Sequence, residues 1–244
     1  MTEGASYADC FRGSNLWRTE IGCVAFLSQV VVGFAIQSYT SYFFEQAGLA
    51  SDNAYKLTVG QSGLHFVCTL LSTLITSRHG RRPIMIWGYI IMATAMFTIG
   101  FLALAYQTPS LGDAQAAVYL VWFCVYELTV GPATYIIVGE ISSTRLRSKS
   151  IALARNAYNV VNICSSVVAP YTLNPTEGNL KGKTGFLAAG LTVLVTIWAL
   201  FRLPESKGRT YQELDLLFTK DLKAWQFKDT AVYEDAAGDS AKET

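Results

Sequence analysis

Six apolar stretches, at 21–44, 57–77, 84–106, 114–138, 151–171 and 186–203, alternate along the chain with short polar ones. Each comes close to the roughly 20 residues a helix needs to cross bilayer hydrocarbon, so the pattern predicts an all-α membrane protein with six transmembrane helices. Within the stretches only His65, Glu127 and Arg155 are ionisable, apart from Tyr, Cys and the terminal Arg202. An even number of crossings puts both termini on one side, together with 78–83 and 139–150. Of the 19 Lys and Arg, only Lys56, Lys181 and Lys183 fall on the opposite side. Because basic loops are retained inside, the basic side and both termini are expected to be cytoplasmic. The expected division is a polar segment over 1–20, a six-helix bundle over 21–203 and a cytoplasmic tail over 204–244. The tail is charged and lacks a sustained apolar period, so it is expected to be mostly disordered beyond about 218, with a short helix possible near 211–218.

Composition alone hides this pattern: 51% hydrophobic residues and a net charge of +1 resemble an ordinary soluble protein, because the polar tail dilutes the average. The five cysteines have no CxxC spacing and no neighbouring His cluster, and read as packing residues rather than disulfide or metal partners. Residues 1–20 resemble neither a signal nor a transit peptide, so the spans themselves are expected to direct insertion. A Ser-His-Asp set on loops, an HExxH motif and a nucleotide-binding P-loop are all missing from the sequence. An enzyme, a cofactor, a metal and a nucleic-acid partner are therefore not expected.

An ionised carboxylate near the bilayer centre costs roughly 2.5–3.5 kcal/mol on insertion scales, so Glu127 should face protein or water rather than lipid. Four residues on, Gly131-Pro132 removes a backbone donor, which predicts a bent, cavity-lining helix. Glu127 is thus either a ligand contact or a structural carboxyl bonded to a neighbouring helix, and His65 divides the same way. The first span offers Gln29, Gln37 and Ser38 beside Tyr39 and Tyr42, a mixture of amides, hydroxyls and rings that suits a neutral, hydroxyl-rich ligand. Asn156, Asn159 and Asn162 spread over one broad face of the fifth span, as ligand contacts or as interhelical glue.

Three polar connections combine acid and base: Gly80-Arg81-Arg82-Pro83; the run from Gly139 through Glu140 and Arg145 to Arg147; and Pro204-Glu205-Ser206-Lys207-Gly208-Arg209-Thr210. Charges of both signs at three helix ends can pair in one conformation and separate in another, a gate set by Arg81, Arg82, Glu140, Arg145, Arg147, Glu205 and Arg209. Any one of these motifs alone also reads as topology and headgroup contact.

Taken in order, the GRR turn, the VGPATY segment that follows Glu127 and the PESKGRT run resemble the sugar porter family of the major facilitator superfamily. The resemblance covers about 7–218 and only helices seven to twelve of a twelve-helix transporter, that is, the C-terminal half of the fold. Tyr7-Ala8-Asp9-Cys10-Phe11-Arg12-Gly13, and Phe43-Phe44-Glu45-Gln46-Ala47-Gly48-Leu49 after the first span, are similar to fungal maltose and α-glucoside permeases, which makes 1–20 the end of a central loop. The resemblance implies sugar contacts at Gln29, His65, Glu127 and Tyr135, the last in place of a Trp, and at Tyr158 or Asn159 depending on a one-residue shift, Asn159 being preferred. Of the helix-seven Gln-Gln pair and Asn, only Gln29 is kept. Arg81, Glu140, Arg147 and Glu205 match the family's charge network, whereas Ser77 stands where many members carry an acid.

The function expected is transmembrane transport of a hexose or an α-glucoside such as maltose by alternating access, proton-coupled in a full-length form and placed in the plasma membrane. The resemblance puts the coupling acid in the N-terminal six-helix half. Expected partners are sugar, the lipid bilayer and that half, or a transporter supplying it; the chain is expected to be an incomplete half, most simply a truncated gene model. The alternatives are a transporter-like sugar receptor, which the modest tail disfavours, and a non-transporting partner of a full-length transporter.

Overall fold

The structure is a computed structural model, described here for residues 6–34, 36–105, 109–174, 178, 180–219 and 224–227. Its elements are helices α1 (Ser14–Val31), α2 (Thr40–Gln46), α3 (Ser51–Arg78), α4 (Arg81–Leu104), α5 (Pro109–Leu128), α6 (Val130–Ile141), α7 (Arg147–Leu173), α8 (Thr184–Arg202) and α9 (Tyr211–Thr219). Short 3-10 turns occur at Tyr7–Phe11, Lys181–Lys183 and Ala224–Phe227, and the described residues contain no strand. Among the described residues, four stretches are long and apolar enough to cross a membrane: α3, α4, α8 and the α5–α6 pair.

The core lies where α4 packs against α8 and α5, with α1 held between α7 and α6. Small residues allow the closest approach. A Cβ on Gly185 would stand 2.7 Å from the Met96 carbonyl oxygen and 3.1 Å from the Gly100 nitrogen, so the α4 and α8 backbones can touch only without one. On α5, Tyr119, Trp122 and Tyr126 stack at centroid distances of 5.5 and 5.6 Å, and Phe43 and Phe44 of α2 close against Tyr119. All five rings are buried.

Two of the six expected spans are broken, the first without a signal in the sequence and the fourth where Gly131-Pro132 predicts a bend. The first span leaves helical geometry after Val31 and resumes at Thr40. Gly33 lies where a Cβ would be 2.6 Å from the Trp122 ring, so the backbone can rest on that ring only at a glycine. The fourth span breaks at Thr129 (φ −122°, ψ −81°), between α5 and α6. Pro132 has no N–H to donate to the Leu128 carbonyl, and its ring crowds that carbonyl, which is the physical reason for a bend at this point.

At the basic end, α9 occupies the position of the short helix expected near 211–218, and its Leu214, Leu217 and Phe218 are buried. Phe218 and Phe227 pack edge-on against Trp17 at 5.0 and 5.6 Å. Arg18 is buried beneath them, paired with Asp215 and 4.5 Å from the Phe218 ring. Part of the tail expected to be disordered is thus docked; residues 220–223 and 228–244 lie outside the described residues. Glu20 pairs with Arg202 and accepts a 2.9 Å hydrogen bond from Trp198 Nε1. The Arg202 hydrogen bonds hold the Glu20 carboxyl below its ordinary range.

Candidate functional site

His65 and Glu127 meet halfway along the bundle, with Nδ1 of the imidazole 2.8 Å from Oε1 of the carboxyl. Glu127 comes from the last turn of α5, just before the break at Thr129, and is buried, whereas the His65 side chain on α3 is 57% exposed. The Thr69 hydroxyl, one turn along α3, hydrogen-bonds the same carboxyl. Nδ1–H of the imidazole donates to the Glu127 carboxyl, which leaves Nε2 free of this contact. The Phe123 ring lies 6.3 Å from the imidazole.

The pair separates two cavities, both of which it lines. The larger, 550 Å³, is walled by Gln37, Ser38, Thr40 and Ser41 from the broken first span and by Thr58, Gln61 and Ser62 of α3. Gln61 bonds the Tyr119 hydroxyl and leaves its own Oε1 without a protein partner. The smaller cavity, 320 Å³, is walled by Gln29, Thr69, Tyr126, Gly131, Pro132, Tyr135 and Tyr158. Gln29 is buried and donates through Nε2 to the Gly131 carbonyl at 3.0 Å, using an acceptor beside the helix break. Tyr135 packs edge-on against Phe26 at 5.2 Å and receives a 3.4 Å hydrogen bond from Arg155, whose guanidinium lies 4.3 Å from the Tyr158 ring.

Neutral hydroxyls, amides and aromatic faces therefore dominate both walls, with one carboxyl and one imidazole between them. Such a surface binds a polyhydroxyl molecule by exchanging hydrogen bonds with its hydroxyls and stacking rings on its C–H faces. Among the described residues, no group of three or more His, Cys, Asp or Glu is placed to hold a metal ion.

Four of the five expected contact residues, Gln29, His65, Glu127 and Tyr135, line these cavities. Asn159 is exposed on α7 and does not; at that helix it is Tyr158 that reaches the wall. The sequence reading also missed the polar stripe of α3, in which Thr58, Gln61, Ser62, His65 and Thr69 recur at the spacing of one helix face. That periodicity was available in the sequence. The contribution of Thr40 and Ser41 was not, because it depends on the break after Val31.

The family described as Sugar (and other) transporter matches residues 1–218. The chain belongs to this family. It is 33% identical over 231 residues to a general alpha-glucoside permease of Saccharomyces cerevisiae, covering 95% of this chain and 37% of the permease. It is 34% identical over 242 residues to maltose permease MAL31 of the same yeast, covering 99% and 39%. The chain thus spans about two-fifths of the length of these curated relatives. Among solved structures, a double-tryptophan mutant of XylE superposes with a TM-score of 0.73 at 24% identity, covering 83% of this chain and 43% of that one. The inward-open xylose transporter XylE of E. coli superposes at 0.59 with 23% identity, covering 80% and 42%. These two likenesses show the fold, a major facilitator bundle.

At the basic end of the bundle, the charged motifs converge on the start of α4. Arg81 donates to Glu140 Oε1 from Nε at 3.2 Å and from a terminal nitrogen at 2.8 Å. Glu205 accepts the backbone N–H groups of Arg81, Arg82 and Lys207 at 2.9, 3.3 and 3.0 Å, so its carboxylate sits at the positive end of the helix dipole. Ser206 donates to Glu140 at 2.6 Å, and Arg82 reaches the Leu200 carbonyl at 2.7 Å. Arg81, Arg82, Glu140 and Glu205 thus form one network joining α4, α6 and the α8–α9 connection. Arg147 instead bonds the Gly139 carbonyl and Tyr211, over whose ring it lies at 4.7 Å. Arg209 donates to the Phe227 carbonyl at 3.0 Å, and Arg145 stands apart, 3.5 Å from Asp9.

Proposed function

We propose that the chain is the sugar-binding bundle of an alternating-access transporter for α-glucosides such as maltose. One observation carries the reading: the 2.8 Å His65–Glu127 pair stands in a crevice otherwise walled by uncharged hydroxyls, amides and rings. Gln29, His65, Glu127 and Tyr135 contact sugar in this reading, and Tyr158 rather than Asn159 supplies the α7 contact. The names of the yeast relatives, an alpha-glucoside and a maltose permease, support the substrate class.

Six crossings are proposed, with α1–α2 and α7 added to the four apolar stretches. α7 falls short in hydropathy because it carries Arg155, Asn156, Asn159 and Asn162, and the first crossing because it is broken. Both termini are cytoplasmic in this reading, 1–20 being the end of a central loop, 21–203 the bundle and 204–244 the tail. The plasma membrane is the proposed location. The gate closes and opens through the Arg81–Glu140 pair and the Glu205 contacts, which hold one conformation when made.

A second six-helix bundle is needed to enclose the sugar. The most apolar window of α3 is only 11% buried, against 56% for α4, and Val160, Ile163 and Val167 of α7 are exposed. Rocking of two bundles about a site between them is the general device of such transporters. The proton coupling proposed for the whole transporter has support in a neighbouring structure described as a proton:xylose symporter. The test is uptake. Vesicles containing this chain with a complementary N-terminal bundle should accumulate labelled maltose above empty vesicles, and vesicles with this chain alone should not; uptake by the chain alone would overturn the two-bundle reading.

A further inference from the structure

We infer that the crevice is a two-ring site: the His65–Glu127 pair divides it into an outer and an inner lobe, each taking one hexose unit of an α-linked disaccharide, with the glycosidic oxygen beside the imidazole. The inference rests on the proposed function and names the form of its substrate. The two cavities, 550 and 320 Å³, share His65 and Glu127 and no other lining residue. Each volume by itself lies within the roughly 300–1,000 Å³ of small-molecule sites, so neither is a mere antechamber to the other.

Their linear arrangement follows from α3. Thr58 lines the outer lobe, His65 the boundary and Thr69 the inner lobe, so the two together extend about 16 Å along the helix at 1.5 Å per residue. A single pyranose occupies one lobe and leaves the other to water, whereas two linked rings reach into both.

The lobes also differ in chemistry. The outer wall carries the hydroxyls of Ser38, Ser41, Thr58 and Ser62 and the side chain of Gln61, whose buried Oε1 has no protein partner. The inner wall carries Tyr126, Tyr135 and Tyr158, rings on which a pyranose face can stack. A monosaccharide therefore prefers the inner lobe, and the outer lobe selects for the second ring. His65 lines both lobes and so stands at their junction, within reach of the hydroxyls that flank a glycosidic bond.

Ser62 and Thr69 are both exposed along α3, so a ring added at either fills a lobe without invading the core. Equilibrium binding of labelled maltose and labelled glucose is measured on the full chain in lipid nanodiscs, for the wild type, Ser62→Phe and Thr69→Phe. Ser62→Phe should weaken maltose at least about tenfold and leave glucose within about twofold, whereas Thr69→Phe should weaken both; tenfold is about 1.4 kcal/mol. If Ser62→Phe weakens both sugars alike, or neither, the two-ring division is wrong while the sugar site stands. If neither sugar binds the wild-type chain, the proposed function itself fails.

Discussion

Helices α3 and α4 are neighbours in sequence and both apolar enough to span a membrane, yet 11% of one window is buried and 56% of the other. On α4 the buried face meets α5 and α8 through tight contacts, and the opposite face exposes Trp87, Ile91, Phe101 and Leu104, as a helix between core and lipid should. On α3 apolar residues such as Phe66, Leu70 and Leu74 are exposed beside a polar stripe that ends on His65 and Thr69. Hydropathy treats the two alike. What separates them is the helical spacing of polar side chains, which marks α3 as the wall of a crevice and α4 as part of the frame that holds it.

Glycines on the two helix pairs give the largest contrast. Gly185→Leu would push a side chain into the Met96 carbonyl and should destabilise the bundle by about 3 kcal/mol, seen as lost monodispersity and a lower midpoint of thermal unfolding in detergent. Gly63→Leu on α3 meets nothing within 4 Å and should leave that midpoint unchanged. A similar loss from both would mean that α3 is packed like α4. Next in size, Glu127→Gln replaces the carboxyl that accepts from His65 and should lower maltose affinity roughly tenfold to a hundredfold with little change in unfolding, the range expected for a hydrogen bond to a charged group. An equal loss of folding would make Glu127 part of the frame. Smallest is the Arg81–Glu140 contact, where a double-mutant cycle with Arg81→Ala and Glu140→Gln should give a coupling of about 1 kcal/mol in unfolding. No coupling would remove the pair from the gate.

Much of the frame was legible because lipid imposes long apolar runs, and the helix boundaries follow them closely at α4, α8 and the C-terminal end of α3, which begins six residues before its apolar run. The bend of the fourth span was legible too, since Pro132 lacks the donor that a continuous helix requires. The break after Val31 was not. It comes with Gly33 resting against Trp122, a contact between residues far apart in the chain. Glu127 and His65 stood out in the sequence as ionisable groups in apolar surroundings, but their pairing did not, because α3 and α5 meet only once α4 has crossed between them in sequence. Charged motifs at the basic end suggested one network of seven residues; the structure divides them, because Glu205 is drawn to the α4 N-terminus while Arg147 and Arg209 are taken up by α9 and the turn at Ala224–Phe227. Docking of the tail was readable from Leu214, Leu217 and Phe218, which share one helix face.

Whether the crevice is a wet, sugar-filled space is tested most directly by thiol labelling at position 65. In a background lacking the five native cysteines, His65→Cys is exposed to a water-soluble maleimide with and without maltose, the chain being in nanodiscs. Rapid modification that maltose slows is the predicted result. Modification only by a lipid-soluble reagent, or at the same rate with and without sugar, would contradict a sugar site at this pair.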